Sequence, residues 1–385
     1  MMRPTAIKLT AVAFIMSVCV PFLSSAQVEK LNVVTTAVPF LRIAPDARAA
    51  GMGDLAIATS PDANSGFWNL AKTPFNDKVG GISASYTPWL KQILNDVYLA
   101  AVSGYYKLDD NQALSGSLRY FNLGNIQFTD NQGNDLNTFR PREFGIDFGY
   151  SRKLSQRSGI GVGLKYIYSN LAGGAAAGNT YKAGNAVAGD ISFYTNGHNE
   201  AGQGWAFGAV LSNLGSRISY TDNADRKDYI PANLGLGTSY TKVFNETNKL
   251  MIGVDINKLL VPTPPESPAT QQQIDDYYGK GVVGSWFSSF GDAPGGFSEE
   301  IKEFQVSVGA EWTYNDQFSL RAGYFHEDKT KGNRRYFSAG LGIKYSSFGL
   351  DFSYLLPSGS GVDRNPLSNT LRFSLHFDLG GGAAE

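Results

Sequence analysis

The chain has 385 residues, of which 42% are hydrophobic and 17% are charged, and its formal net charge is −1. This near-neutral balance excludes the basic character of a nucleic-acid-binding protein, so no nucleic-acid partner is expected. Disulfide and thiol chemistry are also excluded from the mature chain, because the one cysteine, Cys19, lies in a segment expected to be removed on export.

Residues 1–26 have the features of a secretory signal peptide. Arg3 and Lys8 lie at the start of a mostly apolar stretch that runs over residues 9–23, and small residues follow up to Ala26. This pattern predicts export with cleavage after Ala26. No later apolar run is long enough for a membrane-spanning helix.

Residues 27–78 form a segment of different character. Ala-rich stretches broken by Pro and Gly, at residues 39–54 and 59–71, predict short helices and turns rather than strands. Such a segment cannot face lipid, so it is predicted to plug a lumen or cap its periplasmic mouth. The candidate plug residues are Asp46, Arg48, Gly51, Gly53, Asp54, Asp62, Asn64, Trp68 and Asn69.

From residue 79 to residue 379, apolar and polar side chains alternate, as in LRFSLHFDL at residues 371–379. Charged side chains on one face require water, a plug or paired charges, whereas the apolar face requires lipid. Closing the sheet then satisfies every backbone polar group. The pattern predicts an all-β membrane protein, an antiparallel transmembrane β-barrel of about 14 strands, with residues 380–385 as a tail.

Connection lengths support the same architecture. Short links are predicted at residues 109–112, 155–158, 243–247, 315–317 and 346–347, and they alternate with long ones. The long links are at residues 87–95, 123–140, 169–185, 213–231, 258–302, 328–335 and 357–369. In bacterial barrels the short turns face the periplasm and the long loops face outside. Both chain ends are therefore expected on the periplasmic side.

The predicted lumen carries charges of both signs. They are Arg119, Asp147, Lys165, Asp190, Asp255, Glu311, Arg321, Lys344, Asp351, Arg372 and Asp378. One interpretation is a water-filled channel, and the other is a closed network that pairs with plug residues. The second is favoured, because open channels belong mostly to larger barrels of 16–18 strands.

The longest outer loop, at residues 258–302, is a candidate partner-binding element. It combines stiffening prolines with aromatic side chains that would be unusual on a surface exposed to water. The residues concerned are Pro262, Pro264, Pro265, Trp286, Phe287, Phe290 and Phe297. The alternative is that the loop folds down as a lid over the barrel mouth.

Two groups of motifs resemble a known family. DARAAGMG at residues 46–53, DAN at 62–64 and WNLA at 68–71 resemble the N-terminal signature of the PorV family of the Bacteroidetes, which is similar to the FadL-like transporters with their 14-stranded barrels. The loop motifs NKLLVPTPP at 257–265 and SSFGDAPGGFSEE at 288–300 resemble the PorV family in particular. Leu70 stands where the FadL-type signature has Pro, which leaves a FadL-like substrate path without support.

The resemblance implies an outer-membrane component of the type IX secretion system. Such a protein would act as a shuttle that docks on the translocon barrel, receives the C-terminal domain of a secreted cargo and passes it to a surface attachment complex. Besides these partners, only outer-membrane lipid is expected. A FadL-like transporter of hydrophobic compounds is the second hypothesis, and a general porin is the third.

No catalytic, cofactor or metal site is expected. Residues 51–56 fit a loose dinucleotide fingerprint, but no strand precedes them and no βαβ unit follows. The histidines His198, His326 and His376 are too scattered to suggest a metal site. The protein is therefore predicted not to be an enzyme.

Overall fold

The structure is a computed structural model that describes residues 31–89, 96–129, 132–171, 174–176, 179–221, 226–358 and 369–380. The predicted signal peptide with its cleavage site, and residues 381–385 of the tail, lie outside the described residues. Within the described ranges, no helix has both the length and the apolar character needed to cross a membrane.

Fourteen antiparallel strands of the described chain form one closed barrel. They are β1 (Gly80–Pro88), β2 (Val97–Lys107), β3 (Gln112–Leu123), β6 (Arg142–Lys153), β7 (Ser158–Asn170), β10 (Gly184–Asn196), β11 (Gly204–Gly215), β12 (Asn233–Asn245), β13 (Asn248–Leu259), β14 (Gln305–Tyr314), β15 (Phe318–His326), β16 (Arg335–Tyr345), β17 (Phe348–Pro357) and β18 (Leu371–Leu379). Pairing of β1 with β18 closes the sheet. The predicted 14-stranded barrel is confirmed.

Two small hairpins lie in long connections, where the sequence predicted only loops. They are β4 (Ile126–Thr129) with β5 (Asp135–Phe139), and β8 (Gly174–Ala176) with β9 (Asn179–Tyr181). Each hairpin forms a separate two-stranded sheet outside the barrel. They therefore leave the barrel strand count unchanged.

The alternation in the strands separates an outer wall from a lumen. In β18, Leu371 and Leu375 are 45% and 54% exposed, whereas Arg372 and Ser374 between them are 1% and 0% exposed. Successive side chains of a strand point to opposite faces, so every strand of a closed sheet divides its residues in this way. The apolar face is the outer one, which is the arrangement that lipid requires.

The longest connection joins β13 to β14 at the end of the barrel that carries the long loops, here called the outer mouth. It contains α3 (Gln271–Gly279), α4 (Val282–Ser288), α5 (Phe297–Glu300) and a 3-10 turn at Ile301–Glu303. Helix α3 begins at a capping box, in which Thr270 and Gln273 satisfy each other's backbone N–H groups. This loop is therefore built from short helices rather than being irregular throughout.

The segment before β1 passes through the lumen. It contains 3-10 turns at Pro39–Arg42 and Leu70–Phe75, and the short helices α1 (Ala47–Ala50) and α2 (Ser65–Trp68). Near its start, the Asn32 N–H donates to the carbonyl of Thr330, which lies in an outer loop. Near its end, Phe75 stacks edge to face on Tyr194, close to the short turn after β10.

The described part of this segment runs from the outer mouth to the short-turn end of the barrel, whereas the N-terminal end of the mature chain, which was expected at the short-turn end, lies outside the described residues. Strand β1 does begin at the short-turn end, but Asn32 lies among the loops of the outer mouth. A plug that crosses the whole lumen before β1 must enter from the opposite end. The alternation of loop lengths does not show from which end of the barrel the plug enters.

Candidate functional site

The plug rests directly on the backbone of the barrel wall. Gly53 has φ of +70°, and a Cβ on Gly323 of β15 would lie 2.0 Å from the Met52 carbonyl carbon. No side chain fits at either position, because the turn needs a left-handed residue and the strand needs empty space. The backbone of the GMG motif therefore lies directly against the backbone of the wall.

Wall side chains also bind the plug backbone. The Asp255 carboxylate accepts from the N–H groups of Ala56 and Ile57 at 2.7 and 2.9 Å. Ser374 Oγ accepts from the Ala47 N–H at 2.8 Å. These bonds satisfy buried donors that the short plug segments cannot satisfy internally.

A chain of ion pairs crosses from the plug to the wall. Arg48 contacts Glu311 through two hydrogen bonds of 3.0 and 2.8 Å, and it also contacts Asp62 at 2.8 Å. Glu311 in turn accepts from Arg321 at 2.6 Å, and Arg321 donates to Asp351 at 2.6 Å. Paired contacts between a guanidinium and a carboxylate are among the stronger hydrogen bonds in proteins. This network fastens the plug to β14, β15 and β17.

The other candidate plug residues make hydrogen bonds both within the plug and to the wall. Asp46 caps α1 by accepting from the Ala49 N–H, and it accepts from the Trp68 indole at 2.7 Å. Asn69 donates to the carbonyls of Ile57 and Phe193 at 2.9 and 3.0 Å. Asp54 accepts from the Tyr336 hydroxyl. Asn64 is buried, and its N–H donates to Asp62.

A second charged cluster lies on the opposite wall. Lys165 of β7 forms ion pairs with Asp147 and Asp190 at 3.1 and 3.3 Å. Arg119 of β3 donates to the carbonyl of Leu41 at 2.7 Å and lies 4.8 Å from the centre of the Phe67 ring. The Arg119 contacts bind the plug to the wall, whereas the Lys165 pairs join the wall strands β6, β7 and β10. The charges of the lumen therefore include two separate clusters.

Within the described part of the chain, the remaining lumen charges of the sequence prediction make no ion pair with either of these two clusters. Lys344 pairs with Asp378 at 2.6 Å. Arg372 is 1% exposed, and among the described residues two of its three guanidinium nitrogens have no hydrogen-bond partner. The structure therefore places all the named charges on the inner face but does not join them in one network.

Sequence reasoning missed several buried charges. Lys72 is 1% exposed and donates to the Ala56 carbonyl at 2.7 Å. Glu327, just after β15, binds both Arg42 and Arg334 at 2.9 Å. Burial alone would raise the pKa of Glu327, but Arg334 and then Arg42 outweigh it and hold the pKa below its usual value. None of these positions belongs to a motif or to a clear strand phase, so no sequence signal identified them.

A cavity of about 110 Å³ remains between the plug and the outer half of the wall. Its lining mixes aromatic and aliphatic side chains with six charged groups, Arg42, Asp54, Arg119, Lys165, Asp255 and Arg334. Pockets for small organic ligands usually have 300–1,000 Å³ and a mainly apolar lining. This cavity is smaller and more charged than such a pocket.

The long loop is fastened at its base and exposes several large apolar side chains. Lys258 pairs with Glu300 and Glu303 at 2.6 and 2.7 Å, and Phe290 lies over Lys258. In contrast, Phe287 and Phe297 are 75% and 79% exposed. Trp286 is half-buried, as are Pro264 and Pro265, whereas Pro262 is buried. The four aromatic residues therefore do not form one uniform patch.

Metal binding finds no support in the described part of the chain, where no group of three or more His, Cys, Asp or Glu side chains is placed to hold an ion.

Comparisons with known proteins give a family and a fold. Residues 25–266 match the family described as type IX secretion system protein PorV. No curated protein matches the chain. The toluene transporter TbuX of Ralstonia pickettii is similar in structure at 10% identity, with a TM-score of 0.51 over 87% of this chain and 98% of that chain. The CymD monoaromatic hydrocarbon channel is similar at 12% identity, with a TM-score of 0.50 over 91% and 98%.

At such low identity the solved structures show a shared FadL-like barrel fold. The family match says more, because it spans well over half of the chain and includes the DARAAGMG motif and the opening of the long loop. The barrel and the match together place the protein in the outer membrane as a component of type IX secretion. The chain belongs to the PorV family of type IX secretion system proteins.

Proposed function

We propose that this protein is a shuttle of the type IX secretion system. It is exported with cleavage of its signal peptide after Ala26 and inserts in the outer membrane. It then docks on the translocon barrel, takes the C-terminal domain of an exported cargo and delivers it to the surface attachment complex. The role is non-enzymatic and needs no cofactor.

The exposed aromatic side chains of the long loop carry this proposal. Phe287 and Phe297 are 75% and 79% exposed, although the loop that carries them is bound to the barrel at its base. Aromatic anchors commonly supply much of the binding energy of an interface. A surface of this kind fits a protein partner better than it fits water.

The FadL-like transporter is the alternative, because TbuX and CymD are described as a toluene transporter and a monoaromatic hydrocarbon channel. Two observations weigh against it. The cavity of about 110 Å³ is lined by six charged side chains, and the plug is bound to both sides of the lumen by ion pairs and hydrogen bonds. A hydrophobic compound entering this space would leave charged groups without partners.

The porin hypothesis is weaker still. Between Phe40 near the outer mouth and Phe75 near the short turns, the plug occupies the interior and its larger side chains are mostly buried. An open channel would require these contacts to be broken.

The decisive experiment replaces Trp286, Phe287, Phe290 and Phe297 with serine. None of them lies in a spanning strand, so the barrel should assemble and keep its heat-modifiable gel mobility. Secretion should fall, with cargo held in the periplasm or stalled at the translocon. The matched control replaces Phe148, Leu164, Phe207 and Ile252, which are between 50% and 69% exposed on the lipid-facing wall, with alanine.

Normal cargo export by the loop variant, together with loss of uptake of a hydrophobic compound, would reject the shuttle role of this loop and favour the transporter. Loss of secretion in the wall variant alone would place the partner contact elsewhere on the barrel.

A further inference from the structure

Lys258 has surroundings that its place in the strand does not explain. Its neighbours Asn257 and Leu259 line the lumen cavity, so Lys258 between them points outward from the wall. Outward side chains below it in β13, such as Ile252 and Ile256, are 52% and 41% exposed. Lys258 is only 1% exposed. An outward lysine at the rim of a barrel is therefore covered by another part of the chain.

The cover comes from the end of the long loop. Glu300 and Glu303 lie 2.6 and 2.7 Å from Lys258 Nζ, and both carboxylates are themselves buried. The rings of Phe290 and Phe304 lie 5.7 and 5.6 Å from the same nitrogen. The ammonium group is thus enclosed by two anions and two aromatic faces, which are the groups that stabilise a desolvated cation.

A second set of contacts fastens the same stretch of the loop. Lys331, in the loop after β15, pairs with Glu299 and Glu303, and Asn32 of the N-terminal segment donates to Glu299 at 3.2 Å. Burial would raise the pKa of Glu299, but the hydrogen bonds from Lys331, Gly295 and Asn32, together with the charge of Lys331, outweigh it and hold the pKa below its usual value. Glu303 therefore joins both lysines, with Lys258 as the more deeply enclosed of the two.

The exposed aromatic residues lie in the same stretch of the loop. In α4, Ser285 is 0% exposed, as is Ser289 just after the helix, whereas Val283 and Phe287 are 58% and 75% exposed. In the next turn, Glu300 faces Lys258 while Phe297 and Ile301 are 79% and 53% exposed. These buried positions are therefore polar, whereas the exposed positions named beside them are apolar.

We propose that Lys258 is the positioning residue of the long loop, and that it holds α4 and α5 in one orientation, which decides where Phe287 and Phe297 are presented. The location of the anchor follows from the structure, and its importance for a partner rests on the proposed function. A preformed surface binds more tightly than a mobile loop, because less conformational entropy is lost on association.

The test uses a single-cysteine reporter, which is possible because the only cysteine of the chain, Cys19, lies in the predicted signal peptide. Ser289→Cys places a thiol at a position that is 0% exposed, beside Phe290 of the anchor. In this background, Lys258→Met should raise the rate of reaction with an impermeant maleimide by about tenfold or more, since access to a protected site requires local opening. Heat-modifiable gel mobility checks that each variant assembles.

Two further variants keep the test decisive. Glu300→Gln retains the pair between Lys258 and Glu303 and should give a smaller rise, and it serves if Lys258→Met does not assemble. The charge exchange Lys258→Glu with Glu300→Lys should return the rate toward that of the parent. Lys249→Met is the control, because Lys249 is 44% exposed and lies at the opposite end of β13.

A parental labelling rate in assembled Lys258→Met, or in Glu300→Gln when that is the only assembled variant, would overturn the anchor. A raised rate with normal secretion would support the anchor but reject the role of the loop in secretion. A raised rate with reduced secretion, both reversed by the charge exchange, would support the two proposals together.

Discussion

The plug and the long loop are both non-strand segments tied to the same barrel, but they meet their surroundings in opposite ways. Most of the plug is enclosed by the barrel, with Arg48 paired to Asp62 and Glu311 and with Met52 against the backbone of Gly323. The long loop is enclosed only along its base at Lys258, and it exposes Phe287 and Phe297. A segment whose polar and apolar side chains all contact the barrel or each other can seal a lumen. A segment that leaves apolar side chains exposed offers a surface to a partner.

Removal of the plug is the strongest test of whether the plug, and not the long loop, seals the lumen. The parent protein should conduct little in planar bilayers, because the plug fills the lumen. Deletion of residues 40–70 removes α1, α2 and the Arg48 network, and should expose the charged inner wall and raise the conductance. Removal of α3, residues 271–279 of the long loop, is the control and should leave conductance low. A large steady conductance from the undeleted protein would instead favour the porin hypothesis.

A single substitution should loosen the plug by a measurable amount. Arg48→Met leaves the buried carboxylate of Glu311 with one guanidinium instead of two and takes the partner from Asp62. Breaking a buried ion pair by removing one partner costs about 3–5 kcal/mol. Reversible unfolding in lipid measures the loss, and Arg157→Met, on an exposed short turn, is the control. A loss no larger than that of the control would mean that the network does not fasten the plug.

The two faces of β18 should respond differently to the same new charge. Leu375→Arg places a cation on the lipid side and should cost about 2–4 kcal/mol if the position is near the middle of the bilayer. Ser374→Arg places it where Ser374 Oγ accepts from the Ala47 N–H, so it should displace α1 and raise conductance. Equal unfolding losses without any change in conductance would contradict the assigned strand phase.

Single cysteine substitutions at exposed positions are the smallest change, and they test which end of the barrel faces the outside of the cell. Val33 is 37% exposed at the start of the plug, Ser267 is exposed in the long loop, and Asn111 is exposed on a short turn. Single cysteines at Val33 and Ser267 should react with an impermeant maleimide on whole cells, whereas one at Asn111 should react only after the outer membrane is permeabilised. Labelling of Asn111 on intact cells would reverse the orientation, and protection of Val33 alone would contradict the path of the plug.

Much of the barrel could be predicted because its signal is local. In β18 a period of two residues assigns Arg372 to the lumen and Leu375 to lipid without knowledge of any partner strand. Composition likewise marked residues 27–78 as unsuited to lipid. The two loop hairpins were missed, because short strands such as Gly174–Ala176 carry no period that could be read.

The partners of the charged side chains could not be predicted in the same way. Arg48 and Glu311 are 263 positions apart, and Arg42 and Glu327 are 285 apart, so neither pair produces a local pattern. The direction in which the plug runs, from the outer mouth to the short turns, was also missed. The lengths of the loops show only how the strands are connected, and the plug lies before the first strand.

The sequence by itself determined the period of the strands, the alternation of short and long connections and the separate character of the plug segment, because each depends on neighbouring residues. Only the tertiary structure decided that Lys258, an outward-pointing residue, is enclosed by Glu300 and Phe290, and that Arg48 of the plug meets Glu311 of the wall. The physical reason is that a buried charge is stabilised by whatever groups the fold brings around it, and those groups come from distant parts of the chain.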